Sequence, residues 1–118
     1  MSDNFKDLLV WQKSKDLTRE VYLLCKSLPK EEVYGTCSQI QRSAISVPSN
    51  IAEGYRRNGS KEFLQFLGIA SGSCAELETQ LILVAEIYGL GTQALQVESI
   101  QVQKMLSALI SKVKQRTK

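Results

Sequence analysis

The chain has 118 residues, of which 43% are hydrophobic and 23% are charged, with 2 prolines and 7 glycines. This is the composition of a single globular domain, and it excludes a disordered or fibrous chain. There is no histidine, which excludes His-based metal sites and catalytic triads, and we expect neither a cofactor nor an enzymatic activity. The net charge of +3 is unevenly distributed, because residues 62–98 carry five acidic and no basic side chains while residues 104–118 carry five basic and no acidic ones.

The first predicted helix runs from about Leu8 to Leu28 and ends before Pro29. Its apolar residues recur at spacings of three, four and seven, which is the pattern of one buried helix face. They are Val10, Leu17, Val21, Leu24 and Leu28.

The second predicted helix runs from about Gly35 to Arg57, with Pro48 inside it. Proline removes a backbone hydrogen bond and clashes with the carbonyl four residues earlier, here that of Ala44, so we predict a kink at Pro48. Two shorter helices, the second capped by Asn50, are the alternative. We favour one kinked helix because the apolar spacing continues unbroken across the proline, through Ile40, Ala44, Val47, Ile51 and Tyr55.

The turn Asn58-Gly59-Ser60 separates the second and third helices, and Ser60 is the predicted N-cap of the third. This helix runs from about Lys61 to Tyr88, with four-three spacing throughout. The spaced residues are Phe63, Leu67, Ala70, Cys74, Leu77, Leu81, Val84 and Tyr88. Thr92 is predicted to cap the fourth helix, which runs to about Lys114 and buries Leu95, Val102, Leu106, Leu109 and Val113.

Short connections make consecutive helices antiparallel neighbours. We therefore predict an all-α protein that forms one domain over residues 1–118, an antiparallel up-down-up-down four-helix bundle with a basic tail at residues 112–118. No signal-peptide pattern is present, and the longest aliphatic run, Leu81 to Ala85, is far shorter than the roughly 20 residues of a membrane span. We expect a cytoplasmic protein, with no membrane association and with its three cysteines reduced.

The third helix is too apolar for an ordinary surface helix, since further apolar residues lie outside its four-three spacing. One interpretation is a wide contact with the protein's own core. The interpretation that we favour is a homo-oligomer whose interface includes Leu64, Phe66, Ile69, Ile82 and Leu83. Gly68 and Gly72 lie four residues apart on the same helix and indicate that a partner helix passes close by.

Two basic clusters are expected to meet, because the second helix ends, the third begins and the fourth ends at the same end of an up-down bundle. We call this set the basic pole; it consists of Arg56, Arg57, Lys61, Lys112, Lys114, Arg116 and Lys118. Asp3, Asp7 and Glu62 lie near and dilute its charge. The basic pole is either a solubilising tail beside a helix terminus or a phosphate-binding surface for nucleic acid with little base specificity.

Several strings of residues resemble one known family. They are Val10-Trp11-Gln12-Lys13, Tyr34-Gly35, the segment 46–54 with sequence SVPSNIAEG, the segment 62–73, and the segment 76–80 with sequence ELETQ. In these strings, from about Phe5 to Leu90, the chain resembles the bacterial four-helix-bundle family named for proteins encoded in 23S rRNA intervening sequences. It departs from that family at Gln41-Arg42, where two basic residues are common.

The resemblance implies a homo-oligomer, in the form of a pentameric ring, and no catalytic residues. The family is also similar to accessory proteins of diversity-generating retroelements, which are basic pentameric bundles that bind nucleic acid and a reverse transcriptase. The favoured hypothesis is therefore an oligomeric scaffold that binds RNA or a reverse-transcriptase-like nucleoprotein through the basic pole. A protein-interaction module with no nucleic-acid role is the second hypothesis, and an enzyme is the third.

Overall fold

A computed structural model describes residues 4–116 of the chain. Those residues form four long helices, two short 3-10 turns and no strand, which confirms the predicted all-α four-helix bundle. The helices are α1 (Leu9–Cys25), α2 (Thr36–Arg56), α3 (Ser60–Tyr88) and α4 (Gln93–Arg116), and the 3-10 turns are Phe5–Asp7 and Lys30–Glu32.

Each helix packs against two neighbours, in the pairs α1–α2, α2–α3, α3–α4 and α1–α4. The described residues extend 48 × 20 × 20 Å, and α3 alone, with 29 residues, accounts for about 43 Å of that length at 1.5 Å per residue. The core runs along the whole axis and is built from the predicted apolar positions. The side chains of Ile40, Ile51, Leu67, Leu77 and Leu106 are all completely buried.

Pro48 lies within α2, and α2 continues through it as one helix, so the alternative of two shorter helices is wrong. Proline has no N–H to give to the carbonyl of Ala44, four residues earlier. That carbonyl is instead an acceptor for α1, because the Thr18 hydroxyl lies 3.0 Å from it, while also lying 2.8 Å from the carbonyl of Ser14. The neighbouring helix thus satisfies the group that the proline leaves unpaired. The kink at Pro48 and the up-down-up-down order stay predictions.

Two helices approach each other closely at Gly54, which is buried where α2 meets α3. A Cβ atom at this position would lie 2.7 Å from Cβ of Phe66 and 3.0 Å from Cδ1 of Phe63. These distances are shorter than carbon–carbon van der Waals contact, so only glycine fits without separating the helices.

The start of α3 differs in detail from the prediction, whereas its end at Tyr88, before Gly89, agrees with it. Gly59, with φ 121°, precedes α3 as its N-cap, and Ser60 is the first helical residue rather than the cap. At the other end, the buried Thr92 hydroxyl donates to the carbonyl of Leu81 at 2.6 Å and accepts from the side-chain amide of Gln96 at 2.9 Å. Thr92 therefore ties the beginning of α4 to the last turns of α3.

All three cysteines are buried and free, which agrees with the expectation of reduced, structural thiols. Burial raises the pKa of Cys74 to about 12, with a smaller contribution from the charge of Glu78, and its thiol donates to the carbonyl of Ser99 at 3.3 Å. Burial also raises the pKa of Cys25 to about 12. The thiols of Cys25 and Cys74 are thus held in their neutral, unreactive form.

Candidate nucleic-acid interface

The first basic cluster lies where α2 ends and α3 begins. Arg56, Arg57 and Lys61 are all exposed there. Only Arg57, Asn58 and Gly59 separate the two helices, and Gly59 has a positive φ, a conformation that glycine adopts readily. The cluster therefore sits on two rigid helix ends rather than on a long flexible loop.

Arg57 is the most tightly held of these cations. Its guanidinium lies 2.9 Å from the carboxylate of Glu53 and 3.7 Å from that of Glu62, and it stacks 5.1 Å from the ring centroid of Phe66. Two acidic partners reduce the charge that Arg57 presents to a ligand. Arg56 has a different neighbour, the ring of Phe5, at 5.6 Å from the centroid.

The second basic cluster lies in the last turns of α4, where Lys112, Lys114 and Arg116 are exposed. Lys112 lines a shallow cavity of about 300 Å³ together with Leu8 and Leu9, at the start of α1. The predicted Lys118 lies outside the described residues, as does Asp3.

The two clusters lie at the same end of the bundle, on either side of the segment that leads into α1. Arg56 lies over the ring of Phe5 in that segment, and Lys112 lines the cavity to which Leu8 and Leu9 also contribute. The basic side chains that the sequence places far apart are therefore close neighbours of one short stretch of chain. Asp7, in the same stretch, is exposed and contributes an opposing charge.

A groove between α1 and α2 starts at this end of the molecule, and the sequence analysis missed it. Phe5 and Trp11 form one wall, with their ring centroids 5.2 Å apart in an edge-to-face arrangement. Ile45 and Pro48 form the opposite wall, and the volume is about 400 Å³. The sequence contains one indication of this groove, because lysines at positions 6, 13 and 15 lie close to Phe5 and Trp11 along the chain. The signal was missed because half of the lining comes from another helix.

The five residues of the predicted oligomer interface on α3 fall into two groups that differ in exposure. Ile69, Ile82 and Leu83 are exposed, with 52%, 37% and 45% of their surfaces accessible. Leu64 and Phe66 are half-buried instead: Leu64 packs against the core, and Phe66 lies beside Gly54.

Gly68 and Gly72 lie on the same exposed side of α3. A Cβ atom added to either would meet nothing within 4 Å among the described residues. The close helix contact that these glycines predict is therefore not made within the described part of the chain. Glycine costs about 1 kcal/mol relative to alanine in a helix interior, so no packing inside the bundle offsets this cost at either position.

A second cavity, of about 350 Å³, lies between α2 and α3 at the end away from the basic pole. The backbone N–H of Thr36 donates to the Glu32 carboxylate, and the Glu32 pKa is lowered first by a hydrogen bond from the Tyr88 hydroxyl and then by that backbone N–H. Gln80 lines the same cavity, and its buried Oε1 has no hydrogen-bond partner. Leu83 supplies an apolar wall.

Two further properties of the described residues bear on the kind of site. Among residues 4–116, no cluster of three or more His, Cys, Asp or Glu side chains is arranged to hold a metal ion. None of the helices in that part of the chain combines the length and the apolar character needed to span a membrane.

These features define the protein as an all-α four-helix bundle with a cationic end and an apolar outer helix face. The family described as 23S rRNA-intervening sequence protein matches residues 6–108, and the chain belongs to that family. The chain is also similar to a protein of unknown function from the S23 ribosomal protein family of Bacteroides thetaiotaomicron VPI-5482, known from a crystal structure. The two are 26% identical with a TM-score of 0.81, over 90% of this chain and 98% of the other. No curated protein matches the chain.

Proposed function

We propose that this protein is a non-enzymatic, homo-oligomeric helical scaffold that binds RNA, or a nucleoprotein that contains RNA, through its basic pole. The observation that carries the proposal is the convergence of Arg56 and Lys112 on the segment before α1. Convergence distinguishes this surface from a lone basic tail, because two clusters on separate helices present their charge to one ligand.

Binding of this kind is electrostatic and depends on salt. Each phosphate neutralised by a lysine or arginine releases condensed counterions, so the logarithm of the affinity falls with the logarithm of the salt concentration by about 0.7 per contact on single strands. Arg57 contributes less than the other cations, because Glu53 and Glu62 already partner it. Little base specificity follows from phosphate contacts alone.

The proposed assembly uses the outer face of α3. Ile69, Ile82 and Leu83 expose apolar surface on one helix, and such surface on a small protein marks an interaction site. Gly68 and Gly72 leave the backbone of α3 open beside them, so that a helix of a second copy could approach closely. A pentameric ring is the size that the family resemblance implies.

The first experiment is fluorescence anisotropy with a structured RNA over a salt series, with the oligomer mass measured on the same sample. The test variant reverses the charges of Lys112 and Lys114, and the matched control reverses those of Lys26 and Lys30, which are equally exposed at the other end of the bundle. We expect weaker binding and a shallower salt dependence for the test variant only. Unchanged affinity and slope in the test variant would refute RNA binding by the basic pole.

The assembly is tested separately by light scattering. Leu83→Glu places a charge on the exposed face of α3 and is expected to lower the oligomer mass. Leu23→Glu is the control, because Leu23 is similarly exposed, at 48%, but lies on α1. An unchanged mass for Leu83→Glu would place the interface elsewhere.

The second candidate function is a protein-interaction module with no nucleic-acid role, and the exposed apolar face of α3 is the observation that favours it. The two functions differ in one result. The module would form the oligomer and lose it in Leu83→Glu, yet would bind no RNA even at low salt.

A further inference from the structure

The groove between α1 and α2 combines aromatic rings, aliphatic walls and cations in one place. Trp11 and Phe5 are each half-buried, so part of each ring is accessible from the groove. The opposite wall includes Ile45, which is 46% exposed although it is a large aliphatic side chain. The groove is therefore open and mostly apolar, and its volume of about 400 Å³ leaves room for a flat ring.

Cations lie over both aromatic rings. The Lys15 ammonium lies 5.7 Å from the centroid of the Trp11 ring, and the Arg56 guanidinium lies 5.6 Å from that of Phe5. Both cations are therefore within the range of cation–π attraction. The neighbouring acid is Asp16, whose carboxylate is 3.4 Å from the Lys15 ammonium on the exposed surface of α1.

The groove is continuous with the basic pole. Ala52 lines its end, and Arg56 follows one turn later on α2, about 6 Å along the helix axis. A strand whose phosphates contact Arg56 would thus bring its adjoining base to the aromatic wall. Alternating cations and aromatic faces are how proteins hold single-stranded nucleic acid, since every base has a face that can stack.

We propose that this groove takes one unpaired base of an RNA strand whose phosphates are bound at the basic pole, an inference that rests on the function proposed above. The base stacks on Trp11 where the Lys15 ammonium now lies, and Lys15 and Arg56 contact the phosphates on either side of it. Charge complementarity favours this occupant over a peptide segment, because cations flank an otherwise apolar groove. The protein then prefers single-stranded to fully paired RNA.

Trp11 is the only tryptophan in the chain, so its intrinsic fluorescence reports directly on the groove. The single-stranded probe is a short uridine oligomer, and the duplex probe is the same oligomer annealed to its complement. Each is titrated into the protein at low salt while Trp11 fluorescence is recorded. Binding is followed independently by the anisotropy of a label at one end of the RNA. We expect the single strand to quench Trp11 and the duplex to bind without quenching it. Trp11→Leu is expected to weaken single-strand binding roughly tenfold and to leave duplex binding unchanged.

Two further variants make the test independent of any loss of folding. Lys15→Ala removes only an exposed side chain and is expected to weaken single-strand binding more than duplex binding. Tyr22→Leu removes an exposed aromatic residue elsewhere on α1 and is expected to change neither.

The outcomes separate the two proposals. If neither RNA binds, the RNA-binding function itself fails. A different result overturns the groove proposal alone. Both RNAs would bind in a salt-dependent way, Trp11 would not be quenched, and Trp11→Leu would bind the single strand as well as the unaltered protein does.

Discussion

The hydrogen bond from the Thr18 hydroxyl to the carbonyl of Ala44 can be tested by a double-mutant cycle with Pro48. Thr18→Val keeps the side-chain shape but removes the donor that the Ala44 carbonyl, at 3.0 Å, shares with the Ser14 carbonyl, at 2.8 Å. A buried polar group that loses its partner costs about 1–3 kcal/mol, so we expect Thr18→Val to lower the free energy of unfolding by about 1–2 kcal/mol. At about 2.1 cal/mol/K of unfolding entropy per residue, this lowers Tm by roughly 4–8 °C.

The second arm of the cycle replaces the proline. Pro48→Ala supplies a backbone N–H at position 48, which bonds to the Ala44 carbonyl and makes the Thr18 hydroxyl dispensable. In this background Thr18→Val is expected to cost less than about 0.5 kcal/mol, which gives a coupling free energy near 1 kcal/mol. Urea unfolding of the four proteins, followed by circular dichroism, measures the cycle. An equal cost of Thr18→Val in both backgrounds would refute the idea that Thr18 compensates for the proline.

Three further predictions concern other positions. Gly54→Ala is expected to destabilise the protein by about 1–2 kcal/mol in urea unfolding, because the added methyl group would collide with Phe66. Gly91→Ala is the control and should cost nothing, because its methyl group meets open space. Equal effects of the two substitutions would contradict this prediction. Gln80→Met is expected to stabilise the protein by about 1 kcal/mol by removing an unpaired buried acceptor, and a clear loss of stability would show that the amide has a partner. Burial raises the pKa of Cys74 above its unfolded value, so the contribution of the neutral thiol to the free energy of unfolding is complete below about pH 9 and is lost as the pH rises toward 12. The urea midpoint should therefore fall over this pH range. It should fall less steeply in Cys74→Ala, which has no thiol to ionise.

The helices and core were predictable because they depend on spacing alone. Apolar residues repeated every three or four positions must lie on one helix face, whatever that face packs against. Leu67 and Leu77 were placed in the core on this basis, and both are completely buried. Helix ends were less certain, since α1 ends at Cys25 and not near Leu28, where a turn replaces the last helical residues.

The roles of individual glycines and polar residues were not predictable in this way. Gly54 and Gly68 look alike in the sequence, yet one is pressed against Phe66 and the other faces open space. The difference depends on which residue of another helix lies opposite. Thr18 gives no local sign that it serves a carbonyl of α2, since their separation along the chain is 26 residues.

The candidate site shows the same division. The basic pole followed from runs of charge at helix ends, and the described cations among its members are all exposed. The groove did not follow, because Trp11 and Ile45 belong to different helices and neither indicates a site without the other. The ion pairs that restrain Arg57 were only partly visible: the spacing to Glu53 predicts one, while the contact with Glu62 needs the turn between the helices.

The order of helix contacts also sets how the chain can fold. Three of the four packed pairs join helices that follow one another along the chain, and only α1–α4 joins distant segments. A topology dominated by such local pairs folds quickly, because little loop entropy is lost before each contact forms. Closure of α1 against α4 carries the largest loop-entropy cost, and until it occurs the sides that these two helices turn toward each other remain in water. A nascent chain that has not yet released α4 from the ribosome therefore leaves the α4-facing side of α1 exposed, and association of such chains through that side is the expected hazard of its synthesis.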